Sequence, residues 1–260
     1  MPEAAGLYYE VQGADDAPPL ILSSGLGGWA DYWKPNLRAL ASHFRVIVYD
    51  HRGTGRSDRA LPDTVTVDDL AEDVVVLLDA LGIARADVLG HAAGGIAGLA
   101  LALHSPKRVN KLVVVNGWAS PDPHFLRCFA ARLALLRDSG AEAYLKAQPL
   151  FLYPAAWISE HSAALNAELP HQLAAFPGRE TMEKRIAALA AFDVSDKLES
   201  LAVPMLALAA KDDMLVPYTA SEAFEAAPYA ATAWMGWGGH ACNVTDPGTF
   251  NLLVLDYLRG

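Results

Sequence analysis

Val88-Leu89-Gly90-His91-Ala92-Ala93-Gly94-Gly95 decides how the rest of the chain is read. The apolar residues up to Leu89 suit a buried strand. Gly90, Gly94 and Gly95 permit a sharp turn with close backbone approach. Ala93 through Leu103 then reads as a buried helix. A strand, a tight turn and a helix, with a glycine two residues either side of a central position, is the G-x-S-x-G pattern of a nucleophile elbow. Ala92 stands at the central position, where that pattern carries serine. The turn is kept and the hydroxyl is gone.

Working outward, apolar runs alternate with helical patterns. Leu7 to Val11 alternates and reads as an edge strand. Leu20 to Ser24 reads as a central strand that ends in the loop Gly25-Leu26-Gly27-Gly28. Asp31 is the expected cap of a helix through Trp33, Leu37 and Leu40. Val46 to Asp50 is a further strand. Thr66, with Asp69 three residues on, opens a helix whose stripe is Leu70, Val74, Leu77, Leu78 and Leu81, and Gly82 stops it. Lys111–Asn116, Val203–Ala209 and Thr232–Met235 read as strands. A helix is expected over Thr219–Ala227, and Asp246 with Pro247 opens the last one. Continuously apolar strands separated by helices imply a parallel sheet covered on both faces.

Between residues 117 and 191 the alternation stops. This stretch is rich in Ala, Leu and aromatics, has helical periodicity, and carries no strand pattern. The expected fold is therefore α/β: a mostly parallel central sheet with helices on both faces, built from residues 1–116 and 192–260, with residues 117–191 inserted as a helical cap.

The 260 residues carry a formal charge of -10 and are 53% hydrophobic, so a large core is available and disorder is not indicated. No Lys/Arg cluster occurs, which argues against nucleic acid as a partner, and an acidic surface argues against anionic membranes. No apolar run approaches the roughly 20 residues of a membrane span. Cys128 and Cys242 lie far apart without metal-type spacing and read as free thiols of a reducing compartment. No basic-then-apolar leader pattern opens the chain. A cytoplasmic monomer or homodimer acting on a small molecule is expected, with no cofactor and no metal.

Two further features fall in the order that elbow enzymes use, nucleophile, then acid, then histidine. Asp213 sits in a D-x-x-V-P turn after a strand, and His240 follows the last strand. A carboxylate fixes the histidine tautomer and stabilises the imidazolium. Asp212 is expected to be a solvated turn residue, and His91 a support oriented by backbone hydrogen bonds. The oxyanion donors would be the N–H groups of Ala93 and Leu26, which survive any side-chain change. A methyl group is not a nucleophile, so no acyl-enzyme can form at Ala92. His240 would instead activate water.

Several segments carry a resemblance beyond the general pattern. They are Ser24-Gly25-Leu26-Gly27-Gly28, Asn116-Gly117-Trp118, Arg127-Cys128-Phe129 with Arg132, Gln148-Pro149-Leu150-Phe151-Leu152-Tyr153-Pro154, and Gly238-Gly239-His240-Ala241-Cys242-Asn243-Val244-Thr245-Asp246-Pro247. With these the whole chain resembles the α/β-hydrolases of the bacterial Rut pyrimidine-utilisation pathway. The resemblance implies that alanine at the elbow is native. It also implies hydrolysis of a uracil-derived fragment, aminoacrylate, to malonic semialdehyde and ammonia, or cleavage of a related carbamate. A carboxylate-bearing substrate implies a cation in the cap, for which Arg127, Arg132 and Arg185 are candidates. Trp118 and Tyr153 are candidates to line the pocket, and Asn243 to hydrogen-bond the ligand. Two other readings remain at this point: a ligand-binding relative without catalysis, and a cofactor-free oxygenase using the same His–Asp pair.

Overall fold

The computed structural model describes residues 3–260. Its elements run β1 (Glu3–Ala4), β2 (Leu7–Gln12), β3 (Pro19–Ser23), α1 (Lys34–Ala41), β4 (Arg45–Tyr49), α2 (Val67–Ala80), β5 (Ala86–His91), α3 (Ala93–His104) and β6 (Val109–Val115). Three long helices follow: α4 (Pro123–Leu152), α5 (Ala155–Ala175) and α6 (Arg179–Ala191). The chain closes with β7 (Met205–Ala210), α7 (Tyr218–Glu222), β8 (Ala230–Met235), α8 (Cys242–Thr245) and α9 (Pro247–Arg259).

The eight strands form one sheet in the order β1-β2-β4-β3-β5-β6-β7-β8. The pairings β1–β2 and β2–β4 are antiparallel; from β4 to β8 every pairing is parallel. Parallel strands buried on both faces must be apolar on both faces. Alternate residues of one strand therefore enter different cores. Ile21, Val88 and Val114 pack with α2 and α3, while Leu20, Leu22, Leu89 and Val113 pack with Trp33, Leu40, Phe250 and Val254 on the other side. Burying each such side chain contributes about 1.5–3 kcal/mol. The shape of the sequence pattern thus follows from the layer arrangement.

Local signals place most boundaries. Thr66 Oγ1 accepts from Asp69 N at 3.3 Å, and the Asp69 carboxylate accepts from Thr66 N at 2.7 Å, a complete capping box at the start of α2. Asp246 caps α9 by accepting from Thr249 N, with Pro247 in the first turn. Asp31 does not cap α1. It lies in a preceding 3-10 turn, Ala30–Trp33, and pairs with Lys34 at 2.7 Å; α1 starts beside Pro35, whose fixed φ suits the first turn of a helix. The helix expected over Thr219–Ala227 divides into α7 and a 3-10 turn, Ala223–Ala226.

Helices α4 to α6 lie between β6 and β7 in sequence and carry no strand. Gly140, at φ 83°, breaks α4 into two segments. The helices reach the loops that follow the strands. Leu152 O accepts from Ala241 N at 2.9 Å, His124 Nε2 donates to Met214 O at 2.7 Å, and Arg185 Nε donates to Leu26 O at 3.1 Å. These contacts set the insert over the carboxyl ends of the strands, where ligands of open α/β sheets bind. Among the described residues no helix is long and apolar enough to cross a membrane.

Candidate active site

The elbow is a strained point of the backbone. Ala92 has φ 46° and ψ -108°, a conformation L-residues adopt only when surroundings enforce it. The enforcing contacts are tight. A Cβ on Gly94 would lie 2.2 Å from Ser23 O, and one on Gly90 would lie 2.3 Å from Gly94 O. Ala92 N donates to Val115 O at 2.8 Å, which ties the turn to β6. Ala93 is the first residue of α3, so its N–H has no acceptor within the helix and is available to a ligand. The elbow geometry of a serine enzyme is thus retained around a methyl group.

Asp213 and His240 meet. His240 Nδ1 lies 2.7 Å from Asp213 Oδ2, with side chains 3% and 0% exposed. The other oxygen, Asp213 Oδ1, accepts from Leu215 N at 2.7 Å and Val216 N at 3.0 Å, so the carboxylate cannot rotate away. A carboxylate accepts, so Nδ1 carries the proton and Nε2 presents a lone pair. That is the arrangement of a general base. Asp212 is exposed but not merely solvated. Its Oδ1 accepts from Gly239 N at 2.9 Å and so anchors the histidine loop.

Two buried side chains hold the His240 backbone. His91 Nε2 donates to His240 O at 2.7 Å, and the two rings stand edge to face at 4.7 Å. Burial, aided by the neighbouring His240, holds the His91 pKa well below the usual histidine range, so His91 is neutral. Asn116, itself at φ 47°, donates to the same carbonyl at 2.7 Å and accepts from Ala210 N at 3.0 Å. These bonds link β5, β6 and β7 to one loop.

The loop that supplies Leu26 is held from the insert. Arg185, 2% exposed, spans Leu26 O at 3.1 Å, Arg52 O at 3.4 Å and His51 Nδ1 at 2.9 Å. His51 Nε2 in turn lies 3.1 Å from Ser23 Oγ. Burial lowers the Arg185 pKa to about 10 and, with the Arg185 charge adding to it, pushes that of His51 well down.

Residues 18–149 match the family model of the α/β-hydrolase fold. Over 258 residues the chain is 54% identical to the "Putative carbamate hydrolase RutD" of Caulobacter sp. (strain K31), covering 98% of this chain and 96% of that protein. The protein of the same name from Rhizobium rhizogenes (strain K84) is 47% identical over 256 residues, 97% of this chain and 98% of that protein. The chain belongs to the RutD family of α/β-hydrolases. Among solved structures it is similar to the enol-lactonase from Burkholderia xenovorans LB400, with a TM-score of 0.89, 26% identity, and coverage of 99% and 98%. A hydrolase from Pseudomonas aeruginosa PA01 gives a TM-score of 0.85 at 30% identity, covering 98% and 94%.

Within this family framework the remaining site candidates separate. Arg127 is exposed on α4. Asn243 is buried, but Tyr32 Oη donates to its Oδ1 at 2.7 Å and its Nδ2 donates to Asn36 Oδ1 at 3.1 Å. It ties the loop after His240 to α1, and its amide is spoken for within the protein. Tyr153 is partly buried and packs against Trp157 with ring centroids 4.4 Å apart and planes tilted by 33°. Trp118 is 1% exposed, packs on Phe125 at 4.5 Å, and its Nε1 has no partner among the described residues. Arg132 is 4% exposed and bonds Tyr144 Oη at 2.7 Å. Sequence reasoning missed Tyr144 and the His51–Arg185 bridge, and gave Asn116 no role. Each acts across 12 to 134 positions of chain, and no spacing rule reaches that far.

Proposed function

We propose that the protein hydrolyses a small enamine acid, aminoacrylate, to malonic semialdehyde and ammonia, with water activated by His240 and no covalent enzyme intermediate. The observation that carries this is the buried His240–Asp213 pair in a chain whose elbow has no hydroxyl, with His91 of the elbow strand in contact with the His240 ring and backbone. The enamine tautomerises to an imine. His240 Nε2 takes a proton from water as the oxygen adds to the imine carbon, then passes that proton to the nitrogen, giving a neutral carbinolamine. In the collapse His240 Nε2 takes the hydroxyl proton as the C=O bond forms and delivers it to the nitrogen as the C–N bond breaks, so that ammonia leaves an aldehyde and His240 ends neutral. The Ala93 and Leu26 N–H groups would stabilise negative charge developing on oxygen, each about 3 kcal/mol in a well-aligned site. The names of the relatives favour a second substrate, a carbamate, which would use the same pair and the same donors on a carbonyl.

A binder without catalysis has no need for a carboxylate fixed by two backbone donors. An oxygenase would use the same His–Asp pair but would consume oxygen, which an oxygen electrode reads. His240→Ala and Asp213→Asn are expected to lower kcat/KM by about 10²–10⁴, the usual contribution of a general base. Melting temperatures of both variants establish that they are folded. Rates equal to wild type in both would contradict the assignment.

A further inference from the structure

Arg132 is an anomaly of the folded chain. It is 4% exposed, yet no carboxylate pairs with it among the salt bridges of the described residues. Its one hydrogen bond is donated to the neutral Tyr144 hydroxyl, and its buried Nε has no partner. The guanidinium lies over three rings, at 5.4 Å from Phe129, 5.0 Å from Tyr144 and 5.6 Å from Phe151. Cation–π contact offsets part of the desolvation, but a buried charge without an anion is costly. Arg185 is buried too, but Nε, Nη1 and Nη2 each find an acceptor, so it is satisfied.

The surroundings of Arg132 lead to the site. Phe151 precedes Leu152, whose carbonyl accepts from the residue after His240. Leu26, of the proposed oxyanion loop, packs against the cluster that contains Tyr144. Phe129 connects through Phe125 to Trp118, with ring centroids 4.7 and 4.5 Å apart. Tyr144 Oη accepts from Arg132, so its own proton is left for another acceptor.

We propose that Arg132, with Tyr144, binds the carboxylate of the substrate. The hydrolase reading supplies the reacting carbon; the anion site stands on its own geometry. Arg185 is then a positioning residue for the Leu26 loop and does not touch the ligand. The proposal also fixes the sign of a stability effect. A binding-site arginine without its anion destabilises the free protein, so an apolar replacement should stabilise it. A structural arginine would give the reverse.

The test uses propionate, an unreactive short acid, and propionamide, its neutral counterpart. Calorimetric titration of the wild-type protein should give propionate at least about tenfold tighter binding than propionamide, as expected for a charge-assisted contact. Arg132→Gln should remove that preference, and Arg127→Gln should keep it. Arg132→Met should melt higher than wild type without ligand and gain nothing from propionate. His240→Ala should still bind propionate, so failure of the hydrolytic reading and failure of this one are distinguishable. Equal binding of the two probes by wild type, unchanged preference in Arg132→Gln, or a lower melting temperature or failure to fold in Arg132→Met would overturn the proposal.

Discussion

Ala92 sets the chemistry of the site at the scale of a single residue. The backbone there keeps the strained elbow conformation, at φ 46°, although no side chain exploits it. Gly90 and Gly94 leave no alternative, because the strand and helix touch backbone to backbone at both. The site is therefore one atom from a serine enzyme. Ala92→Ser is expected to place a hydroxyl beside His240 and make the protein reactive. A fluorophosphonate should add its phosphonyl mass to Ala92→Ser and leave wild type unmodified, as read by intact-protein mass spectrometry. Absence of an adduct in a folded Ala92→Ser would mean that the His240–Asp213 pair does not address the elbow. The elbow, the acid and the histidine were legible in sequence because each is a local pattern in a fixed order. Arg132 was one of three arginines of the insert that the sequence offered as partners for a carboxylate. What sets it apart from Arg127 is its burial among Phe129, Tyr144 and Phe151, which no periodicity reports.

Elements were legible where capping or burial on both faces leaves a local trace. The Thr66–Asp69 box at the start of α2 is the clearest case, read from the sequence and present in full. Thr66→Ala is expected to cost about 1 kcal/mol and to lower the melting temperature by about 2–4 °C in a domain of this size. No change in a calorimetric scan would show that the exposed cap carries no weight. The start of α1 was misplaced because Asp31, a good cap by composition, is engaged with Lys34, while Pro35 sets the helix. Around the loop after β8 the sequence made legible His240 and the supporting role of His91. The loop's geometry depends on Asp212, Asn116 and His91, from three different strand ends. Sequence spacing carries no information about such convergence.

The whole molecule couples these buried groups to pH. His51 and His91 stay neutral in the folded state because burial opposes their charge. Unfolding lets both take up protons below about pH 6.5, so each lowers stability as pH falls through that value. Asp87 acts in the opposite direction. Burial pushes its pKa up to about 6, so between about pH 4 and 6 the folded state holds a proton that the unfolded chain releases, and stability falls as pH rises through that window. Asp87→Asn, which keeps an acceptor for Lys111 N at 3.1 Å, removes that held proton and should raise the proton uptake on unfolding near pH 5 by about one. The slope of unfolding free energy against pH between 4.5 and 5.5, from urea titrations, should therefore rise by about 1 kcal/mol per pH unit in the variant. An unchanged slope would mean that Asp87 titrates as it does in the open chain.

An intact α/β-hydrolase frame without its nucleophile is expected still to catalyse hydrolysis through water. The substrate also hydrolyses unaided, so the decisive quantity is the rate above that background. Aminoacrylate generated in situ should release ammonia faster with wild-type protein than in buffer, in proportion to protein concentration, and His240→Ala should return the rate to that of buffer. Ammonia release by wild type no faster than in buffer would contradict the claim directly.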